Sequence, residues 1–155
     1  MLFFLIAAVV VLCDQLTKAY AVKTLAGTAG RSVLGTLLRL EYVENRGAAF
    51  GMLRDCRLFF ILLTAVVSVG IVVYWLRHRN ASRVLTIGLG LLFGGAVGNF
   101  IDRLINGFVV DFLKVDLVSF YEFPVFNVAD IGVTCGCLLL LIYFLFLESR
   151  EKEEK

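Results

Sequence analysis

Histidine and proline each occur once in the 155 residues, as His78 and Pro124, and charged residues make up only 18% of the chain. One histidine cannot build a His-rich metal centre, and a net charge of +2 gives no electrostatic reason to expect a nucleic-acid partner. Cysteine is sparse too, at Cys13, Cys56, Cys135 and Cys137. Cys135 and Cys137 stand two apart in a run that reads as helix, so their side chains point to different faces, and Cys56 has no evident partner. Neither a disulfide framework nor a metal site follows. Cys13 is expected to be a buried apolar thiol, because Leu12 stands where a lipidation box needs a small residue. Internal repeats and low-complexity stretches are missing as well, so residues 1–155 read as one domain.

What the chain has in excess is hydrocarbon: 60% hydrophobic residues and a mean hydropathy of +0.90, far above a soluble domain. A bilayer core of about 30 Å takes about 20 apolar residues in a helix. Four spans are expected, at about 2–20, 58–76, 84–104 and 131–147, in a single integral membrane domain. The first run has no basic segment before it and no small-residue cleavage site, so it reads as a retained anchor. Arg77, Arg79 and Arg83 crowd the short connector between the second and third spans, where His78 reads as a solvated loop residue. With Arg150, Lys152 and Lys155 in the charged tail, this density places both termini in the cytoplasm. The loop 21–57 carries Lys23, Arg31, Arg39, Arg46, Arg54 and Arg57, so a raw count alone does not set the orientation.

Two loop segments carry strand signals. Leu38-Arg39-Leu40-Glu41-Tyr42 alternates apolar and charged residues, and 108–118 is rich in Val and Phe with Asp111, Lys114 and Asp116 interspersed. A small β element lying on the bilayer is expected. Gly90, Gly94 and Gly98 recur at four-residue spacing, a stripe that lets another helix approach closely, and Gly132 and Gly136 repeat it. Gly98 also has the position to make room for a ligand backbone.

Ionisable groups at membrane depth cost about 2.5 to 3.5 kcal/mol each on insertion scales, so they point to function by default. Here Asp14, Lys18, Asn99, Asp102, Arg103 and Asp130 all fall at one end of the spans, and Asn45 and Asp111 fall in loops on that side. Each also has a structural reading. Asp14 and Lys18 are an i,i+4 pair. Arg103 is expected to form a structural ion pair with a nearby carboxylate. Asp130 has the position of a helix cap, although Asn127 offers an alternative cap that would leave Asp130 free to face the site. The lone histidine lies on the opposite side, which rules out Ser-His and Cys-His chemistry. Carboxylates remain, and two held close enough to share a proton have their pKa values pushed apart, one acting as base and one as acid.

Five motifs occur in order: Asp14-x-x-x-Lys18, Asn45-Arg-Gly-Ala-Ala-Phe-Gly51, Gly98-Asn-x-x-Asp-Arg103, Val109-Val-Asp-Phe112 and Phe126-Asn-Val-Ala-Asp130. Together they resemble the lipoprotein signal peptidase family, the type II signal peptidases, over nearly the whole chain. The resemblance implies an all-α membrane fold of four transmembrane helices with a small extracytoplasmic β-cradle and a small periplasmic helix. It implies an aspartic endopeptidase with Asp111 and Asp130 as the catalytic dyad. Asn45, Gly47, Asn99, Arg103, Asn127 and Ala129 would line the site, supported by Asp14 and Lys18. The implied substrate is a prolipoprotein whose cysteine carries diacylglycerol, cut on the N-terminal side of that cysteine without a cofactor. A monomer in the bacterial inner membrane is expected, with membrane lipid as its other partner and the site facing outward. Two other classes compete. A small proton-coupled carrier usually needs more spans and polar groups near the midplane, and a structural assembly protein gives no reason for two aspartates on one side.

Overall fold

The computed structural model describes residues 1–47, 52–53, 55–78, 82–116 and 123–149. Outside them lie Ala48, Ala49, Phe50 and Gly51 of the second motif, Arg54, Arg79, the last two residues of the expected strand 108–118, and Arg150, Lys152 and Lys155. Among the described residues, four helices are long and apolar enough to cross a membrane: α1 (Leu2–Leu25), α2 (Arg57–Arg77), α3 (Arg83–Ile105) and α4 (Val128–Ile142), which continues as a π-helical segment, Tyr143–Leu147. The implied small periplasmic helix is not found among the described residues.

Helix α3 is the hub, packing against α1, α4 and α2. Its glycines explain this. A methyl group at Gly90 or Gly94 would press on Ile6, Phe3, Ala7 or Val10 of α1, and one at Gly95 would overlap the Ala129 carbonyl of α4. Gly136 of α4 returns the fit, lying against the α3 backbone at Leu92 and Gly88. By contrast Ile71 is the one buried residue of α2, because lipid is the solvent for its other faces. Cys13, Cys56, Cys135 and Cys137 are all exposed free thiols, so the buried position expected for Cys13 is corrected: it faces outward from α1.

Caps set the helix ends. The Ser82 hydroxyl accepts from the Val84 N–H at 3.1 Å to begin α3. At its other end, Gly107 takes φ +83° to turn the chain into β3. The exposed Arg57 side chain donates to the terminal carbonyls of Arg103 and Leu104, both at 2.8 Å.

An antiparallel sheet in the order β1 (Arg31–Leu34), β2 (Leu38–Asn45), β3 (Val109–Val115) closes one end of the bundle. The expected strands correspond to β2 and β3. β1 was not expected: four residues, all exposed, carry no alternation to read. Ala21 and Leu25 pack beneath Val110 and Phe112, which draws α1 past residue 20 to meet the sheet. Phe126 pairs with Leu113 of β3 just before α4 begins, so the strand and the helix start are locked together.

Gly95→Ala should lower thermal stability in detergent by about 1 to 3 kcal/mol, the usual range for overpacking. Gly70→Ala is the control: nothing lies within 4 Å of the added methyl group, so its stability should be unchanged or slightly raised.

Candidate active site

Between the helix bundle and the sheet lies a polar layer that starts from Lys18. Its ammonium has three donors, and three acceptors meet them: Asp14 Oδ2 at 2.8 Å, Asp102 Oδ2 at 3.0 Å and Asn99 Oδ1 at 2.9 Å. All three ionised groups are 3% exposed or less. The remaining oxygens are also satisfied. Asp14 Oδ1 accepts from the Ala129 N–H at 2.8 Å and Asp102 Oδ1 from Gln15 Nε2 at 3.1 Å, while Asp102 Oδ2 accepts from the Val110 N–H at 2.9 Å besides Lys18. Gln15 Nε2 bridges Asp14 Oδ2, Asp102 Oδ1 and the Gly98 carbonyl. One buried cluster thus joins α1 to α3, β3 and the first turn of α4.

The amides of Asn99, Asn127 and Asn45 lead from this cluster to two carboxylates. Asn99 accepts from Lys18 and from Asn127 Nδ2 on the same oxygen, so its NH2 group is left to donate to Asp130 Oδ1 at 2.8 Å. Asn127 caps α4 in a reciprocal box: its Oδ1 accepts from the Asp130 N–H at 3.0 Å, and Asp130 Oδ2 accepts from the Asn127 N–H at 3.1 Å. The same Asn127 side chain donates to Asp111 Oδ1 at 2.6 Å. Asn45 donates to Asp111 Oδ2 at 2.9 Å from β2, where the register sets it diagonally opposite Asp111, and its own Oδ1 is held by the Gly47 N–H at 3.0 Å.

Burial pushes the Asp111 carboxyl up from 3.8 to about 7, and the nearby Asp130 charge acts in the same direction. Hydrogen bonds from Asn45 and Asn127 and the Lys18 charge oppose the shift. Between these two values the folded chain holds a proton that the unfolded chain has released, so this group makes stability fall as pH rises from about 4 to about 7. Asp111→Asn should flatten the decline in thermal midpoint over that window.

A family model described as signal peptidase (SPase) II matches residues 6–146. The chain belongs to the signal peptidase II family. The lipoprotein signal peptidase of Bacillus subtilis is 39% identical over 155 residues, covering 100% of both chains. That of Anoxybacillus flavithermus is 43% identical over 152 residues, covering 98% of this chain and 90% of its own length. A solved bacterial membrane enzyme superposes with a TM-score of 0.84 at 35% identity, covering 99% of this chain and 92% of the other.

Within this signal peptidase II chain, three expectations need correction. Arg103 forms no ion pair among the described residues: it donates to the Gly47 carbonyl at 3.2 Å and to Asn99 O at 3.4 Å, with its guanidinium 4.8 Å from the centroid of the Phe60 ring. Successive helix residues differ by about 100°, so Asp102 turns inward to Lys18 while Arg103 turns towards the loop after β2. Gly98 makes room for the Asp14 carboxylate, which would lie 2.7 Å from an added methyl group, rather than for a ligand. Asp130 is not released by the Asn127 cap; it takes part in that cap and still faces Asn99. Asp102, which the sequence placed in the polar cluster without a role in the site, and Gln15, which it did not single out, both belong to the network. The cost of a carboxylate at membrane depth was a signal for Asp102; nothing but adjacency to Asp14 signalled Gln15.

Proposed function

We propose that Asp111 and Asp130 act as one acid–base pair that cuts prolipoproteins on the N-terminal side of a diacylglyceryl-cysteine. Membership of the signal peptidase II family makes this multi-pass membrane protein a peptidase of lipoprotein signal peptides, and lends no support to a carrier. The observation that carries the aspartic reading is Asn127, which donates its side chain to Asp111 and its backbone N–H to Asp130, holding both carboxyls around one residue.

In this mechanism the ionised carboxylate takes a proton from water as the water oxygen bonds to the scissile carbonyl carbon. The neutral carboxyl donates its proton to the carbonyl oxygen. Collapse of the tetrahedral intermediate breaks the C–N bond: the leaving amine takes the proton that came from water, and one hydroxyl of the intermediate returns its proton to the carboxylate that had protonated the carbonyl, which re-forms C=O and restores the pair. Asn45, Asn99 and Asn127 orient the pair, Asp14, Lys18 and Ala129 fix the helices that carry it, and Gly47 and Arg103 hold the loop beside it. No metal or other cofactor takes part. The chain works as a monomer in the bacterial inner membrane, with the site at the extracytoplasmic surface, where the lipid of the substrate holds the scissile bond.

Purified protein in detergent should cleave a diacylglyceryl-modified prolipoprotein, and not its unmodified form, without nucleotide, metal or ion gradient. Equal cleavage of both forms would remove the lipid requirement. In intact cells or spheroplasts, Ser32→Cys in a background lacking the four native cysteines should react with a membrane-impermeant thiol reagent. A cysteine placed in the C-terminal tail should be protected, and the reverse pattern would invert the topology.

A further inference from the structure

The β1–β2 hairpin has an apolar tip that the rest of the described chain leaves open: Val33, Leu34 and Leu37 are 55%, 60% and 42% exposed. It follows directly from α1, whose outer face carries exposed Leu12, Leu16 and Tyr20 at four-residue spacing. That face is continuous with the hydrocarbon-facing surface of the bundle, and Tyr20 stands where aromatic residues mark the level of the headgroups. Between hairpin and helix lies a cleft of about 560 Å³ lined by Tyr20, Thr24, Leu25, Thr28, Arg31 and Val33. Its chemistry is mixed: aliphatic carbon from Leu25 and Val33, hydroxyls from the threonines and Tyr20, and one guanidinium.

The charges around the sheet separate into two groups. Arg39, Arg46 and Lys114 each pair with Glu41 or Glu44. Lys23 and Arg31 are exposed and have no ion pair among the described residues. Lys23 is one helical turn beyond Tyr20, and Arg31 lines the cleft itself. Uncompensated cations beside an apolar projection, at the exit of a membrane-crossing helix, match a leaflet surface in two respects. The projection meets acyl carbon, and the cations meet phosphate.

We infer that the exit of α1 and the β1–β2 hairpin form an anionic phospholipid site. The Val33, Leu34 and Leu37 tip enters the upper acyl region, and a headgroup phosphate sits in the cleft beside Arg31 and Lys23. Because β2 runs from this hairpin to Asn45, and Asn45 holds Asp111, the lipid fixes the height of the polar site relative to the bilayer. The inference depends on α1 crossing a membrane and not on the chemistry assigned to Asp111 and Asp130.

Native mass spectrometry of the full chain, released from detergent with added phosphatidylglycerol or phosphatidylcholine, tests the charge component. Phosphatidylglycerol should bind the more tightly. Lys23→Gln and Arg31→Gln should each weaken it about fivefold, and together roughly 25-fold, with phosphatidylcholine unaffected. Both side chains are exposed, so the variants should keep the thermal midpoint of the parent. A Val33→Trp reporter in a Trp75→Phe background, in phosphatidylglycerol nanodiscs, tests the tip: brominated acyl chains should quench it and aqueous iodide should not. Equal phosphatidylglycerol affinity in parent and double variant, or quenching by iodide alone, overturns the site.

Discussion

Asp111→Asn and Asp130→Asn should each lower prolipoprotein cleavage by about 10²- to 10⁴-fold, the contribution of a general acid or base, while the chain should still fold and insert. The amide matches the carboxylate in size but cannot pass the proton on. At Asp111 the two carboxylate oxygens accept from Asn127 and Asn45 separately. A replacement amide offers one acceptor in place of two, so one hydrogen bond is lost while a buried acidic group is also removed, and the net change in stability is small. Because the pair acts as a unit, the double variant should be hardly slower than either single one. The check is a gel-shift assay on lipidated prolipoprotein, with unfolding followed in parallel. Substantial turnover by either folded single variant would remove the shared-proton mechanism.

Lys18→Met should be the most destabilising single change in the polar layer, at about 3 to 5 kcal/mol. Methionine keeps the length and apolar stem of lysine but leaves Asp14 and Asp102 facing each other without their cation, at 0% and 3% exposure. Asn99 loses a fixed donor at the same time, which frees its amide to turn away from Asp130, so activity should fall with stability. Lys18→Arg is not a conservative rescue, since a planar guanidinium cannot reproduce three converging contacts around one nitrogen. Combining Lys18→Met with Asp14→Asn and Asp102→Asn should recover part of the lost stability, because the uncompensated charges leave with their partner. Thermal unfolding in detergent measures the whole series. A Lys18→Met variant as stable as the parent would mean that the Lys18 contacts do not hold the polar layer together.

Hydropathy by itself determined the four helices, because a run of about 20 apolar side chains has few alternatives in water or lipid. Alternation determined β2, and the insertion cost of charge singled out Asp14, Lys18, Asp102 and Asp130 before any geometry was known. The motif order determined the family. These are one-dimensional signals, each carried by residues close together in the chain. The tertiary structure alone decided how the polar residues are partnered, because the bonds join distant positions: Lys18 to Asn99, Asp14 to Ala129, Asn45 to Asp111. Nothing in the motif Gly98-Asn-x-x-Asp-Arg103 says that Asp102 turns to Lys18 while Arg103 turns to a loop carbonyl; the roll of α3 against α1 sets that. The glycine stripes announced close helix contact but not which neighbour fills each notch, and Gly94 and Gly95, adjacent in sequence, receive different helices. β1 escaped notice because its pairing with β2, rather than any pattern of its own, makes it a strand. Sequence spacing identifies which groups must be satisfied in a membrane, whereas only the packed helices and sheet bring each donor to its acceptor.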